Sequence, residues 1–255
     1  MSLYEHQKRI IQEDKKKCGL FLGTGSGKTR TALMLRRGYT LIIAPKTQVE
    51  DQNWERELPK VPYQGNIKRI EVISKERFRR DHAKLPRYDT VIVDEAHTCL
   101  GVTPNIRWKN KQPIPKTSQL FEALELYLVK HKPDRLYLCT ATIMKSPMTV
   151  WGAGKLLGYN WDWYKFRERF YVKLPMPGRD VYTQKRDDET KDELARLVKA
   201  IGYTGQLSDY FDVPEQTFIN KYTELSTEQK KRIKELTLEY PDPIVLIGKK
   251  HQVEN

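Results

Sequence analysis

At 255 residues, with 14 Tyr and 5 Trp, the chain is long enough to bury a core as one large or two small domains; that aromatic content argues against wholesale disorder, although only 38% of it is hydrophobic and 31% is charged. Lys and Arg outnumber Asp and Glu by 46 to 33, and the net charge of +13 favours a polyanionic partner, nucleic acid first, over the alternative of a merely soluble basic protein. Cys18, Cys99 and Cys139 have no metal-ligand spacing and suit a reducing compartment, no apolar run reaches membrane-spanning length and no signal-peptide core opens the chain, so a cytoplasmic protein with no membrane partner is expected.

Residues 3–17 read as a helix ending in Lys15-Lys16-Lys17. Gln7, near its start, carries a carboxamide that can both donate to and accept from an adenine edge, although most glutamines at helix starts are only solvated. Leu20 to Thr29 is an apolar run that stops at a glycine-rich turn, and the helix-compatible Arg30 to Arg37 follows. That order suits a phosphate-binding loop. Thr24, Gly25, Ser26 and Gly27 let successive N–H groups curl inward around anionic oxygens, and the positive end of the next helix faces the same spot. Lys28 would reach the β- and γ-phosphates of ATP, and the Thr29 hydroxyl would hold Mg²⁺. The strict pattern has Gly at its first position, where Leu22 stands; the Gly25-x-Gly27-Lys28-Thr29 core is intact. A Gly/Ser-rich turn between strand and helix is the plain alternative.

Thr40 to Ala44 is a β-branched, apolar run that reads as a buried parallel strand, ended by Pro45-Lys46-Thr47, and Gln48 to Leu58 reads as a helix carrying Trp54. Residues at the end of such a strand lie on the binding edge of an open α/β sheet, so Pro45, Lys46 and Thr47 are candidate contacts to a nucleic-acid backbone, with ordinary turn chemistry as the alternative. Ile70 to Ile73 is a further strand, and Ser74 caps a helix whose Arg77, Arg79 and Arg80 form a basic face. Thr90 to Val93 is strongly β-forming and ends in Asp94-Glu95-Ala96-His97. An acidic pair at the end of a buried strand is costly unless something compensates it, and a metal ion would. Asp94 can hold Mg²⁺, Glu95 can orient and deprotonate an attacking water, and His97 can sense the γ-phosphate or link to another motif. Taken alone the string could be a helix cap with acidic first-turn residues.

Gly101 to Thr117 reads as a polar, proline-containing loop in which Arg107, Trp108, Lys109, Lys111 and Lys116 could contact phosphates and stack a base; a surface loop without a partner is the alternative. Residues 118–130 form an amphipathic helix with Leu120, Leu124 and Leu128 on one face. Arg135 to Cys139 is the next strand, and Thr140-Ala141-Thr142 ends it with two hydroxyls that can bond the acidic motif and couple nucleotide state to nucleic-acid grip. Strand and helix thus alternate with every candidate site at a strand's carboxyl end, the pattern of a doubly wound, mostly parallel α/β sheet. From Pro147 the aromatics Trp151, Trp161, Trp163, Phe166, Phe170 and Tyr171 suggest helices packed by aromatic side chains. Pro175 to Asp188 reads as a loop or flap, Glu189 to Ile201 as a helix, Gln216 to Leu225 as extended, and Ser226 to Tyr240 as a helix capped by Ser226 with Glu228 and Gln229 near the capping-box position. No internal repeat is present.

These motifs in this order resemble the first RecA-like lobe of a superfamily-two helicase or translocase, and more narrowly the Swi/Snf-like group in a phage- or bacterial-type version. The resemblance rests on Gln7, on the Walker A core Gly25 to Thr29, on Pro45 with Trp54 and Glu57, on the DEAH box Asp94 to His97, and on Thr140-Ala141-Thr142; Pro147 and Trp151 follow as in that group. Val213-Pro214-Glu215 and Leu225-Ser226-x-x-Gln229 resemble its link into a second lobe. Leu22 and the Thr140-Ala141-Thr142 ending, where the group more often has Gly-Thr-Pro, depart from it. The resemblance implies a P-loop NTPase lobe over 1–150, an aromatic-rich helical continuation over 151–225 and a link over 226–255. Lys28 and Thr29 would bind phosphate and Mg²⁺, Asp94 and Glu95 would serve metal and water, Gln7 would read adenine, and His97, Thr140 and Thr142 would couple the nucleotide to DNA. The family's second lobe carries arginine fingers, and after Tyr240 only a short tail remains. A truncated chain or a degenerate gene is therefore expected, one that binds ATP weakly, hydrolyses it poorly and does not translocate. An RNA helicase, a non-catalytic nucleotide- or nucleic-acid-binding module and the motor of a restriction system are the rival readings.

Overall fold

Strands buried on both faces read as unbroken apolar runs, and three such runs form the centre of the sheet. In the computed structural model, which describes residues 3–61, 70–109, 111–176, 179–210, 226–229, 231, 232 and 235, they are β2 (Thr40–Ala44), β4 (Thr90–Val93) and β7 (Arg135–Cys139), every residue of which is buried. Their bounds are those expected from sequence. With β1 (Lys17–Leu22), β3 (Ile70–Ser74) and β10 (Gly202–Gly205) they make a six-stranded sheet in the order β10-β1-β7-β4-β2-β3, parallel throughout.

Side chains alternate between the two faces of each strand, and helices cover both. On one side α1 (Glu5–Glu13), α2 (Lys28–Leu35) and α4 (Asn53–Glu57) bring Ile10, Leu33, Leu35 and Trp54 against Leu20, Leu22, Ile42, Ile92 and Tyr137. On the other, α5 (Lys75–Asp81), α6 (Gln119–His131), α7 (Pro147–Leu157), α8 (Trp163–Phe170) and α9 (Asp188–Ile201) bring Phe78, Phe121, Trp151, Phe166 and Val198 against Phe21, Ile43, Val91 and Leu138. Each such fully buried side chain contributes roughly 1.5–3 kcal/mol. Of the aromatics after Pro147, Trp151, Trp163, Phe166, Phe170 and Tyr171 are thus core, as the sequence suggested, and Trp161 packs partly buried against them. The three cysteines are free and buried.

Several sequence expectations are corrected. The first helix does not run over 3–17: Asp14 turns left-handed (φ 43°) and β1 has begun by Lys17. Arg135, at the start of β7, grips Asp14 with two hydrogen bonds of 2.7 and 2.8 Å and fixes that turn. The helix expected over Gln48 to Leu58 is two pieces, α3 (Lys46–Glu50) and α4, broken where Gln52 adopts φ 54°. The expected loop over Gly101 to Thr117 is an antiparallel hairpin, β5 (Val102–Lys109) with β6 (Gln112–Thr117), in which Pro113 faces Trp108 and Pro115 faces Ile106. Proline fits an edge strand wherever its missing N–H would point away from the partner. The flap expected over Pro175 to Asp188 belongs mostly to a second hairpin, β8 (Tyr171–Met176) with β9 (Arg179–Gln184). The edge strand β10 was not anticipated. It pairs with β1 at Gly19, and a Cβ on Gly202 would lie 2.5 Å from the Gly19 carbonyl oxygen, so only glycine allows this approach.

The chain divides into two compact units, Met1–Val213 and Pro214–Asn255. In the second, Ser226 N donates to Gln229 Oε1 (2.9 Å) and Gln229 N to Ser226 Oγ (3.1 Å), the reciprocal capping box read from sequence. The Val213-Pro214-Glu215 link, the extended stretch Gln216 to Leu225 and the tail lie wholly or mostly outside the described residues. No helix among the described residues is long and apolar enough to cross a membrane.

Candidate nucleotide-binding site

At the end of β1 the chain makes the glycine turn. Gly25 and Gly27 both sit at φ 80°, a left-handed conformation open to glycine at little cost. Gly27 is also crowded: a Cβ there would lie 2.3 Å from Gln7 Nε2. Ser26, fully buried, donates through Oγ to the Gly23 carbonyl at 2.6 Å and staples the loop. α2 opens at Lys28, so its free N–H groups face the turn. The Lys28 ammonium curls back over the loop and donates to the carbonyls of Leu22 (2.8 Å) and Gly23 (3.0 Å). Burial lowers its pKa, and the carboxylates of Glu95 and Asp94 oppose that shift. Leu22 is the last residue of β1: its side chain is core and its backbone oxygen is what the loop uses, which explains why a leucine is tolerated there.

The acidic pair ends β4, which is separated from β1 only by β7, and two strand spacings amount to about 10 Å. Lys28, Thr29, Asp94 and Glu95 line one cleft of about 570 Å³, together with Gln7, Thr24, Gly25 and Gly27. Asp94 accepts from the Trp54 indole N–H at Oδ2 (3.1 Å) and from the Glu95 N–H at Oδ1 (2.9 Å). Burial raises the Asp94 pKa and those two donors act against it. Glu95 is left-handed, at φ 42° and ψ 52°, and its carboxylate is half-exposed. His97 Nδ1 lies 3.3 Å from Glu95 Oε2 and 2.9 Å from Thr140 Oγ1, and Thr142 N donates to that same Thr140 oxygen at 3.1 Å. A continuous polar chain therefore runs from Glu95 through His97 to Thr140 and Thr142. Burial lowers the His97 pKa against the pull of Glu95, which favours the neutral ring.

Gln7 is buried, with Oε1 accepting from Tyr4 N (3.0 Å) and Nε2 donating to the Gly27 carbonyl (3.2 Å), so α1 is tied to the turn. One amide hydrogen and one lone pair remain on its carboxamide. The cradle fits a magnesium triphosphate: glycines leave room at the turn, a half-buried ammonium closes it, and Thr29 and Asp94 offer hard oxygen donors. No group of three His, Cys, Asp or Glu side chains that could hold a metal by itself occurs among the described residues.

Other candidates lie elsewhere. Pro45 precedes α3 at the end of β2, on the same edge of the sheet, with Lys46 paired to Glu50 (3.5 Å) and the Thr47 carbonyl closing the helix. Arg107, Trp108 and Lys109 belong to the β5–β6 hairpin. Arg107 is tied to Glu122 on α6 (2.7 Å), Trp108 is 69% exposed, and the Lys109 side chain lies outside what is described. The basic face of α5 is partly neutralised, Arg77 pairing with Glu71 and Arg80 with Asp81. Sequence reasoning missed two residues. Trp54 was read as part of a helix and of a resemblance but given no role at the site, and Lys75, buried at the start of α5, was not noted at all. Its place directly after a strand, like that of Pro45, Asp94 and Thr140, was the one local signal, and it does not say where the side chain reaches.

No family model matches the chain, and no curated protein does. Among solved structures it is similar to the Sulfolobus solfataricus SWI2/SNF2 ATPase core in complex with dsDNA, with a TM-score of 0.57 and 18% identity over 99% of this chain and 58% of that one. It also matches the Pyrococcus furiosus Hef helicase domain, with a TM-score of 0.46 and 19% identity over 62% of this chain and 36% of that one. The chain spans less than two thirds of the length of either. The first likeness, together with the parallel sheet and its flanking helices, gives the fold as a RecA-like lobe.

Proposed function

We propose that the chain is the ATP-binding lobe of a nucleic-acid translocase or helicase of the superfamily-two, Swi/Snf-like kind, and that DNA is its track. The observation that carries this is the pairing, in one cleft, of Lys28 on the glycine turn with Asp94 and Glu95 two strands away. ATP enters as substrate with Mg²⁺. The N–H groups of Thr24 to Gly27 and the Lys28 ammonium hold its phosphates, Thr29 and Asp94 hold the cation, and Gln7 meets the adenine with its remaining donor and acceptor. Glu95 takes the proton of the water that attacks the γ-phosphate. His97, Thr140 and Thr142 relay the state of Glu95 toward the nucleic-acid side.

In this reading residues 1–150 are the lobe proper, 151–225 continue it, and 226–255 lead toward a second RecA-like lobe that supplies arginines to the γ-phosphate. Such arginines contribute about 10³–10⁵-fold in comparable enzymes, so full hydrolysis depends on that lobe. DNA is favoured over RNA because the similar ATPase core was solved with dsDNA. Pro45, Lys46 and Thr47 on the sheet edge and Arg107, Trp108 and Lys109 on the hairpin are the proposed contacts.

The test is MgATP binding and DNA-stimulated hydrolysis by the full chain, under single-turnover conditions. Lys28→Ala should abolish binding, and Glu95→Gln should bind MgATP normally but lose hydrolysis. Binding that survives Lys28→Ala would sink the reading. Stimulation by duplex RNA in place of DNA would move it to an RNA helicase, and intact binding with no hydrolysis under any condition would leave a non-catalytic module.

A further inference from the structure

We propose that Lys75 is a positioning residue for Glu95, holding the backbone of the water-activating residue in its left-handed turn; this rests on the reading of Glu95 given above. Lys75 opens α5 at the end of β3, and its side chain crosses the end of β2 to reach the end of β4. Only 6% of it is exposed. Its ammonium donates to the Glu95 carbonyl at 2.8 Å and to Thr98 Oγ1 at 2.6 Å. The same carbonyl accepts from Thr98 N at 3.1 Å and from Thr98 Oγ1 at 3.0 Å. Three donors from two side chains and one amide thus converge on a single oxygen.

That oxygen belongs to a residue in a conformation that non-glycine side chains avoid, at φ 42°. Such a residue keeps its shape only where its surroundings over-determine it. A glycine would hold the turn more easily but carries no carboxylate, so the site needs glutamate in a glycine-like backbone, and the lysine clamp supplies the constraint. Aiming is the consequence. Releasing the peptide lets the chain after Asp94 relax, and the Glu95 carboxylate then swings relative to the phosphate cradle while Asp94 and Lys28 stay in place. Lys28 grips the cleft from the glycine turn and Lys75 grips it from behind, and only the first of them faces the substrate.

The test uses the full chain with duplex DNA and compares Lys75→Met, which keeps the length and apolar stem, with Thr98→Val, which removes one hydroxyl. Positioning predicts that Lys75→Met binds MgATP with unchanged Kd and melts within a few degrees of the parent, while the single-turnover rate at saturating ATP falls about tenfold to a hundredfold, the scale of a small misplacement of a reacting group. Thr98→Val should move the rate the same way by less, and the double variant should lose no more than Lys75→Met alone, because both act on one oxygen. A parent-like rate in both variants overturns the proposal, as does a Lys75→Met loss that appears equally in Kd and melting temperature, which marks a merely structural lysine. Should Lys75→Met not fold, Thr98→Val decides by itself. If Glu95→Gln hydrolyses ATP like the parent, it is the reading of Glu95 that fails; if Glu95→Gln is inactive and Lys75→Met is not, the clamp alone fails.

Discussion

Trp54 on α4 donates its indole N–H to Oδ2 of Asp94, the residue after β4, across 3.1 Å, and is itself buried to 1% exposure. The link joins a helix that lines the candidate nucleotide cleft to the candidate metal ligand, and with the Glu95 N–H on Oδ1 it fixes both oxygens of a half-buried carboxylate. Trp54→Phe keeps an aromatic ring in the core and removes only the donor. Outer-shell changes of this kind commonly cost about 10–100-fold in metal affinity. Titration of Mg²⁺ at fixed ATP should therefore show a weaker metal dependence, with nucleotide binding at saturating Mg²⁺ restored. An unchanged Mg²⁺ dependence would separate Trp54 from the metal.

The same carboxylate makes stability depend on pH. Burial raises the Asp94 pKa above its ordinary 3.8. A group bound more tightly to its proton in the folded state contributes stability that is fully present below 3.8 and is lost as pH rises through the raised folded value. Asp94→Asn has no proton to lose. The melting temperature of the nucleotide-free parent, taken relative to that of Asp94→Asn, should therefore fall as pH rises from below 3.8 toward neutrality. A difference that stays flat, or grows in the parent's favour, contradicts a raised pKa.

How much of this was legible depends on what each residue type could signal. β2, β4 and β7 were bounded correctly because strands covered on both faces are mostly apolar and β-forming, and the Pro45, Asp94 or Thr140 after each marks its end. The candidate site residues after β1 and β4 stood out because a glycine-rich turn and an acidic pair after a buried strand have few other uses, and the structure brings them into one cleft. β10 was not legible. Four residues with glycine at both ends look like a turn, and their partner at Gly19 is far away in sequence. The β5–β6 hairpin was hidden by Pro113 and Pro115, which punctuate a sequence but sit comfortably on an outer strand. The break at Gln52 depends on a left-handed residue that no glycine announces. Lys75 needed the strand order itself, since nothing local says that the residue after β3 reaches the end of β4.

At the other end of the strands, Arg135 carries a different kind of load. It joins Asp14 by two hydrogen bonds and Tyr137 Oη by a third (2.9 Å), closing the turn between α1 and β1 against the start of β7. The guanidinium holds the Asp14 pKa below its ordinary 3.8, so this pair's stabilisation is present above 3.8 and is lost as pH falls through the lowered folded value. Asp14 is 40% exposed, and solvent screens the pair. Arg135→Met should cost about 1–3 kcal/mol, read as a lower urea midpoint at neutral pH with an unchanged slope. MgATP affinity should not move, because the cleft lies at the opposite end of the sheet. A change in affinity without a change in stability would reverse the assignment.

Trp108 offers the sharpest test of the proposed nucleic-acid surface. It is 69% exposed, whereas Trp54, Trp151 and Trp163 are at most 5% exposed and Trp161 is partly buried. Residues 102–117 around it carry Arg107, Lys109, Lys111 and Lys116 and no acidic residue. A base stacked on an exposed indole is worth roughly 1–3 kcal/mol by alanine substitution, and the surrounding cations add a salt-dependent share. DNA titrated into the chain should quench the tryptophan emission. Trp108→Ala should abolish most of that quench, weaken binding about tenfold or more and leave the melting temperature within about a degree, as expected for an exposed side chain outside the core. Lys111→Ala should instead reduce the slope of log Kd against log salt by about one contact's share while retaining the quench. DNA that binds Trp108→Ala as tightly as the parent would free the hairpin from the interface and leave Pro45, Lys46 and Thr47, at the end of β2, as the contacts to examine.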